Sequence, residues 1–324
     1  MLVVLLSAGI SISCTDTTIS HDIYVTVYPV QYVTESILVG TPLTVGIVPG
    51  VTSHSSSVDW SPKEIIAMTK ASYLFYVGAN YDQYIDLQIN SIFANKAVEL
   101  VKIEEQTHYI EFILGVVHEH TDESTPVTTT EENHSSPLGY DPHFWISPLK
   151  IQQISALIYD KLAFRYPEYH TLMLANYQAL VGNLQALSDD FQEVIEIATK
   201  PMLTSTNIYG YLKSDYGLEY ISISPGYHEE TEQFTTQEKE EIVAEAALHD
   251  IHHVIYEKNI TSPLSNAVFT ALNEYYGIAP TKLEYNVLQA LSDIDKSAGK
   301  DYISEMYVNL EVIKQATDYY LGQE

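Results

Sequence analysis

The sequence contains a single cysteine, Cys14, so it can form neither an intramolecular disulfide nor a cysteine-based zinc site. It is also poor in basic residues: 15 Lys and Arg stand against 43 Asp and Glu, for a formal net charge of −28. Such a chain lacks the basic footprint on which nucleic-acid binding and electrostatic docking to anionic lipid depend. The same charge favours the approach of cations.

The chain has no apolar run long enough to span a bilayer, which takes about 20 residues. Residues 1–12 are apolar or small and have the length of a signal-peptide core. Cys14 follows a small residue, Ser13, as at a lipoprotein processing site, although an incidental cysteine is the alternative. We therefore expect residues 1–21 to be a signal peptide, lipidation site and polar tether. This predicts an extracytoplasmic protein, lipid-anchored to the outer face of the cytoplasmic membrane.

The 324 residues, 46% of them hydrophobic, are enough for about two domains with sizeable cores. β-Branched and aromatic runs alternate with capped helical segments, which is typical of βα units around a parallel sheet. Strands are predicted at residues 23–28 (ended by Pro29), 43–48, 73–77, 98–103, 202–204, 220–224, 252–256 and 282–285, and helices start at the capping sequences near residues 61, 235 and 262.

The predicted fold class is α/β, with two lobes built on parallel-type sheets and joined by a long rigid helix. The N-terminal lobe covers residues 22–150, connecting helices cover 151–200, and the C-terminal lobe covers 201–324. Residues 167–200 have apolar positions at helical spacing and predict the long connecting helix. Residues 115–134 are rich in His and acidic residues and predict a loop.

Ligand sites of parallel sheets lie beyond the carboxyl ends of the strands. The polar candidates near those ends or in adjoining loops are His54, His143, Thr206, Asn207, Glu257 and Glu284. Imidazole and carboxylate groups in one cleft suit a divalent transition metal, with zinc favoured and manganese the alternative when oxygen ligands dominate.

Several segments resemble, in order, the motifs of the zinc/manganese-binding substrate-binding lipoproteins of ABC transporters. The segments are PGVTSH with DWSPKEI and YLFYVG, then DPHFWISP, NIYGYLKSDYGL, VIYEKNITSPLSNAV and SAGKDYISEMYVNL. The resemblance runs from about residue 23 to the end of the sequence. It implies a protein that is not an enzyme and that works as a monomer. Its partners would be a divalent metal ion, an ABC permease and the ATPase of that permease.

The resemblance also implies a ligand set. His54 and His143 match family metal ligands, Thr206 takes the third-ligand position, and Glu284 aligns with the fourth ligand. A threonine hydroxyl is a poor zinc ligand compared with imidazole. Three readings follow for the missing third ligand: water or another histidine completes the site, the site is richer in oxygen ligands, or tight binding has been lost. The candidate auxiliary ligands are His118, His120, His134 and His228.

Family members that bind zinc carry a His- and acid-rich loop at the position of residues 115–134. The resemblance therefore leaves two alternatives for this segment: it captures metal for the main site, or it is only solvated surface. Two other functions compete with metal delivery: a secreted metal-dependent hydrolase and a surface adhesin. The sequence has no H-E-x-x-H, G-x-S-x-G or P-loop motif, which disfavours the hydrolase.

Overall fold

The computed structural model describes residues 20–50, 58–115, 139–227 and 235–319. In the described part of the N-lobe, four parallel strands form a sheet with the order β2-β1-β3-β4. Its elements are β1 (Ile23–Val25), α1 (Tyr28–Leu38), β2 (Val45–Ile47), α2 (Pro62–Lys70), β3 (Tyr73–Tyr76), α3 (Gln83–Asp86) and β4 (Glu99–Lys102).

Pro29 starts a helix instead of only ending a strand. The predicted strand over residues 23–28 is too long, because β1 ends at Val25 and Pro29 lies in the first turn of α1. Proline is well suited to that turn, since the amide hydrogen it lacks would have no partner within the helix. The capping box predicted at Ser61 is present: its hydroxyl accepts from the Glu64 amide, and the Glu64 carboxylate accepts from the Ser61 amide.

Two long helices connect the lobes. Helix α4 (Pro148–Arg165) is followed by a 3-10 turn (Pro167–Tyr169) and then by α5 (His170–Glu196), which is 27 residues long. The predicted helix over residues 167–200 therefore starts three residues later, at His170. Pro167 has no amide hydrogen to donate to the carbonyl of an earlier residue, so the α-helix of α4 cannot continue through it. The predicted long connecting helix is confirmed.

The C-lobe repeats the parallel architecture. Its described strands form a four-stranded parallel sheet with the order β6-β5-β7-β8. Its elements are β5 (Met202–Thr204), α6 (Gly210–Tyr216), β6 (Tyr220–Ser222), α7 (Thr236–Leu248), β7 (His253–Glu257), α8 (Pro263–Tyr276), β8 (Thr281–Tyr285), α9 (Asp293–Ser297) and α10 (Tyr302–Ala316). The predicted fold class of two parallel α/β lobes is therefore confirmed.

One continuous hydrophobic cluster runs from the N-lobe through α4 and α5 into the C-lobe, and it includes residues of α1 and α10. Hydrogen bonds cross between the lobes within it. The Tyr28 amide donates to the Gln289 carbonyl at 3.0 Å, and the Tyr302 hydroxyl donates to the Trp145 carbonyl at 2.8 Å. In the described ranges, no helix is both long and apolar enough to cross a bilayer.

Candidate metal centre

His143 is buried and lies just before a 3-10 turn (Phe144–Ile146) that leads into α4. Asp141 holds it in place: one carboxylate oxygen, Oδ1, accepts from the His143 amide at 2.9 Å and lies 2.9 Å from ring atom Nδ1. With the proton on Nδ1, the lone pair is on Nε2. That nitrogen is buried and has no hydrogen-bond partner among the described residues. A carboxylate on one ring nitrogen and a free second nitrogen is the usual arrangement of a metal-binding histidine.

C-lobe residues pack around this histidine. The Tyr227 ring meets the imidazole with a centroid separation of 4.8 Å, and the Tyr211 hydroxyl donates to the Asp141 carbonyl at 2.8 Å. Gly210 allows α6 to approach, since a Cβ atom there would lie 3.0 Å from Oδ2 of Asp141. The Asp-Pro-His segment of one lobe is thus fixed by the other lobe.

Thr206 and Glu257 meet at the centre of the C-lobe sheet. Thr206 follows β5 and Glu257 ends β7, the strand beside β5. The Thr206 hydroxyl donates to Oε1 of Glu257 at 2.6 Å. Burial raises the pKa of the Glu257 carboxyl, while the Thr206 hydrogen bond and the charge of His143 oppose that shift.

Glu284 lies on the opposite face of the same sheet. It pairs in register with Tyr256, whereas Glu257 pairs with Tyr285. Since successive side chains of a strand point to opposite faces, Glu284 points away from Glu257. Its carboxylate is half-exposed and lies 3.1 Å from the ammonium of Lys282. The structure thus brings together Thr206 and Glu257 and separates Glu284 from them. The pair adjoins the His143 segment, because the Asn207 amide donates to the Gly226 carbonyl at 2.9 Å and the neighbouring Tyr227 packs on the imidazole.

Several predicted residues lie outside the described residues: Cys14, His54, His118, His120, His134 and His228. Among the residues that the structure does describe, no three His, Cys, Asp or Glu side chains form a group able to hold a metal. The described residues alone therefore do not form a complete metal site. Asp141 was not predicted; its position two residues before a candidate histidine was the available signal.

Comparisons with known proteins identify the family of this chain. The family model described as "ZnuA: Zinc-uptake complex component A periplasmic" matches residues 23–316. The zinc-binding lipoprotein AdcA of Streptococcus pneumoniae serotype 4 is 27% identical over 298 residues, covering 92% of this chain and 56% of the relative. The high-affinity zinc uptake system protein ZnuA of Bacillus subtilis is 22% identical over 269 residues, covering 80% and 76%. The chain spans about half the length of the AdcA relatives it matches.

Solved structures show the same fold. The Zn(II)-bound ZnuA-like domain of Streptococcus pneumoniae AdcA has a TM-score of 0.67 at 24% identity, covering 92% of this chain and 99% of the domain. The metal-dependent lipoprotein YcdH of Bacillus subtilis has a TM-score of 0.68 at 20% identity, covering 91% and 98%. Because the family model spans most of the sequence, the chain belongs to the family of ZnuA, zinc-uptake complex component A.

Proposed function

We propose that this protein is the extracytoplasmic metal-binding component of an ABC importer, and that it captures zinc between its lobes and delivers it to the permease. One observation carries the proposal: Nε2 of the buried His143 has no partner among the described residues, while Asp141 fixes the ring from the other side. The family and its zinc-binding relatives support zinc over manganese.

His143 and His54 are the proposed histidine ligands; His143 belongs to the Asp-Pro-His segment, and His54 follows β2 in the sequence. The imidazole must be deprotonated to bind, so zinc affinity falls as pH drops through the range in which histidine titrates. His118, His120, His134 and His228 are proposed as auxiliary capture groups. The protein acts as a monomeric receptor without a reaction of its own.

Calorimetric titration of chelator-treated protein with zinc and with manganese tests this function. We expect one zinc ion per chain at neutral pH, and loss of binding when His54 and His143 are both replaced by alanine. Binding that survives this double replacement, or no saturable binding by the unchanged protein, contradicts the proposal. Turnover of an ester or phosphate substrate would instead favour the hydrolase.

We also propose that the chain is anchored through an acylated Cys14 on the outer face of the cytoplasmic membrane. A single acyl chain binds membranes reversibly, so stable anchoring needs the several chains of a bacterial lipoprotein. Fractionation of cells tests this: the native protein partitions with membranes, and a Cys14→Ser variant takes up no lipid label. Native protein that remains in the cytoplasm contradicts both the anchor and the receptor role.

A further inference from the structure

Glu257 occupies the position in the C-lobe at which a parallel sheet presents ligands. Strands β5 and β7 are neighbours, and their connections lead to β6 on one side and to β8 on the other. Parallel sheets bind ligands where such connections diverge, beyond the carboxyl ends of the two strands. Thr206 stands past the end of β5, and Glu257 is the last residue of β7. Both residues therefore lie at this ligand-binding edge of the sheet.

The contact between them assigns different roles to the two side chains. Thr206 is buried, and its hydroxyl proton is committed to Oε1 of Glu257 at 2.6 Å. Within the described ranges, the other carboxylate oxygen, Oε2, accepts no hydrogen bond. Carboxylates that bind metals are commonly held in this way by a donor on one oxygen. Asp141 provides the same kind of support to the His143 ring from the N-lobe side.

The charges at this edge of the sheet match a cation. His143 presents an unpartnered ring nitrogen among the described residues. The amide of Asn207, the residue after Thr206, donates to the Gly226 carbonyl at 2.9 Å, and the next residue, Tyr227, packs on the His143 ring. Lys282, in contrast, lies beside Glu284 on the other face of the sheet.

We propose that Glu257 is the C-lobe ligand of the captured metal ion, and that Thr206 is a positioning residue that orients the Glu257 carboxylate without being a ligand itself. This inference rests on the proposed function. Glu257 takes the ligand role that the resemblance assigns to Glu284, because the Glu284 side chain points to the opposite face of the sheet. His143 and Glu257 would then hold the ion from the two lobes.

Competition titration with a chromophoric zinc chelator tests the assignment in the full chain. We expect Glu257→Gln to weaken zinc binding by about 100-fold or more, and Thr206→Val to weaken it by about 10-fold, as for the loss of a residue that orients a ligand. Thr206→Ser keeps the hydroxyl and should bind as the unchanged protein does. Glu284→Gln is the matched control and should leave the affinity unchanged.

A cobalt spectrum separates a ligand from a residue that only supports the fold. Co²⁺ replaces zinc, and its visible absorption reports the atoms bound to the metal. Glu257→Gln should change this spectrum in protein whose metal-free melting temperature is unaltered. If that variant does not fold, Glu257→Asp provides the test, because its shorter side chain moves the carboxylate and must shift both spectrum and affinity if the group binds the metal.

The outcomes distinguish this inference from the function on which it rests. If the unchanged protein binds no zinc, the proposed function fails. If it binds one zinc ion and a folded Glu257 variant matches it in affinity and cobalt spectrum, Glu257 is not a ligand and the function stands. If Thr206→Val alone abolishes binding while Glu257→Gln does not, Thr206 is the ligand and the assignment is reversed.

Discussion

The indole nitrogen of Trp145 donates to the carbonyl oxygen of Val287 at 2.9 Å, so a C-lobe loop holds the ring that packs against His143. The ring is fully buried, and its centroid lies 5.3 Å from that of the imidazole. Trp145 is therefore in contact with the proposed ligand and bonded to the opposite lobe at the same time.

This contact makes Trp145 a reporter of metal binding. The chain has two tryptophans, and Trp60 packs against Phe93 in the N-lobe. We expect zinc to change the fluorescence of a Trp60→Phe variant, because an ion on His143 alters the field at the neighbouring indole. Adding His143→Ala to that variant should remove the response. A silent Trp60→Phe protein that binds zinc by calorimetry would contradict the placement.

Asp141 should matter for zinc affinity more than for folding. Asp141→Asn removes the negative charge that orients the His143 ring and strengthens it as a donor. We expect about 10- to 100-fold weaker zinc binding by competition titration, the usual effect of losing such a partner. Asp293→Asn, at an exposed site on α9, is the control. Equal affinities for the two variants would mean that His143 does not bind the metal through Nε2.

A buried ion pair joins α4 to α6, and replacing one partner alone should destabilise the protein more than replacing both. Lys150 lies 3.2 Å from Asp215, and both side chains are at most 10% exposed. Lys150→Met leaves the Asp215 carboxylate uncompensated and should lower the free energy of unfolding by about 3–5 kcal/mol. Lys150→Met with Asp215→Leu should recover much of that loss. Urea unfolding of metal-free protein measures both, and additive losses would contradict the argument.

Asp82 should make stability depend on pH near neutrality. Burial raises its pKa to about 7 from 3.8, although its carboxylate accepts from the amides of Val77 and Gly78. The folded state thus keeps a proton that the unfolded chain loses near pH 4. This contribution is complete below that pH and is lost as pH rises to about 7, which costs on the order of 4 kcal/mol.

Asp82→Asn should remove that dependence, because the amide side chain resembles the protonated carboxyl. Urea unfolding between pH 5 and 8 should give a flatter profile for this variant than for the unchanged protein. Asp59→Asn replaces an exposed aspartate of the same lobe and should keep the original slope. Parallel profiles for Asp82→Asn and the unchanged protein would show that Asp82 stays ionised throughout.

Local signals in the sequence were enough to predict most of the fold. The capping boxes at Ser61 and Thr235 mark real helix starts, and Gly277 ends α8 at a φ of +68°. Pro29 misled because the same residue suits the end of a strand and the first turn of a helix. Only the packing of α1 against the connecting helices decides between the two.

The site was predicted in part. His143 followed from a motif, and Glu257 was one of the polar residues found at strand ends. The resemblance then favoured Glu284 over Glu257, and the sequence alone could not show the difference. One residue of register separates them along the sheet, since Glu284 pairs with Tyr256 and Tyr285 with Glu257. A shift of one residue moves a side chain to the other face.

The continuous core has a consequence for the order of events during synthesis. Tyr302 and other buried apolar residues of α10 belong to the same cluster as Ile23 and Val25 of β1, and the Tyr302 hydroxyl donates to the Trp145 carbonyl. The chain cannot complete this core until residues 302–316 have been made. A chain shortened before Tyr302 would therefore leave apolar surface of both lobes exposed.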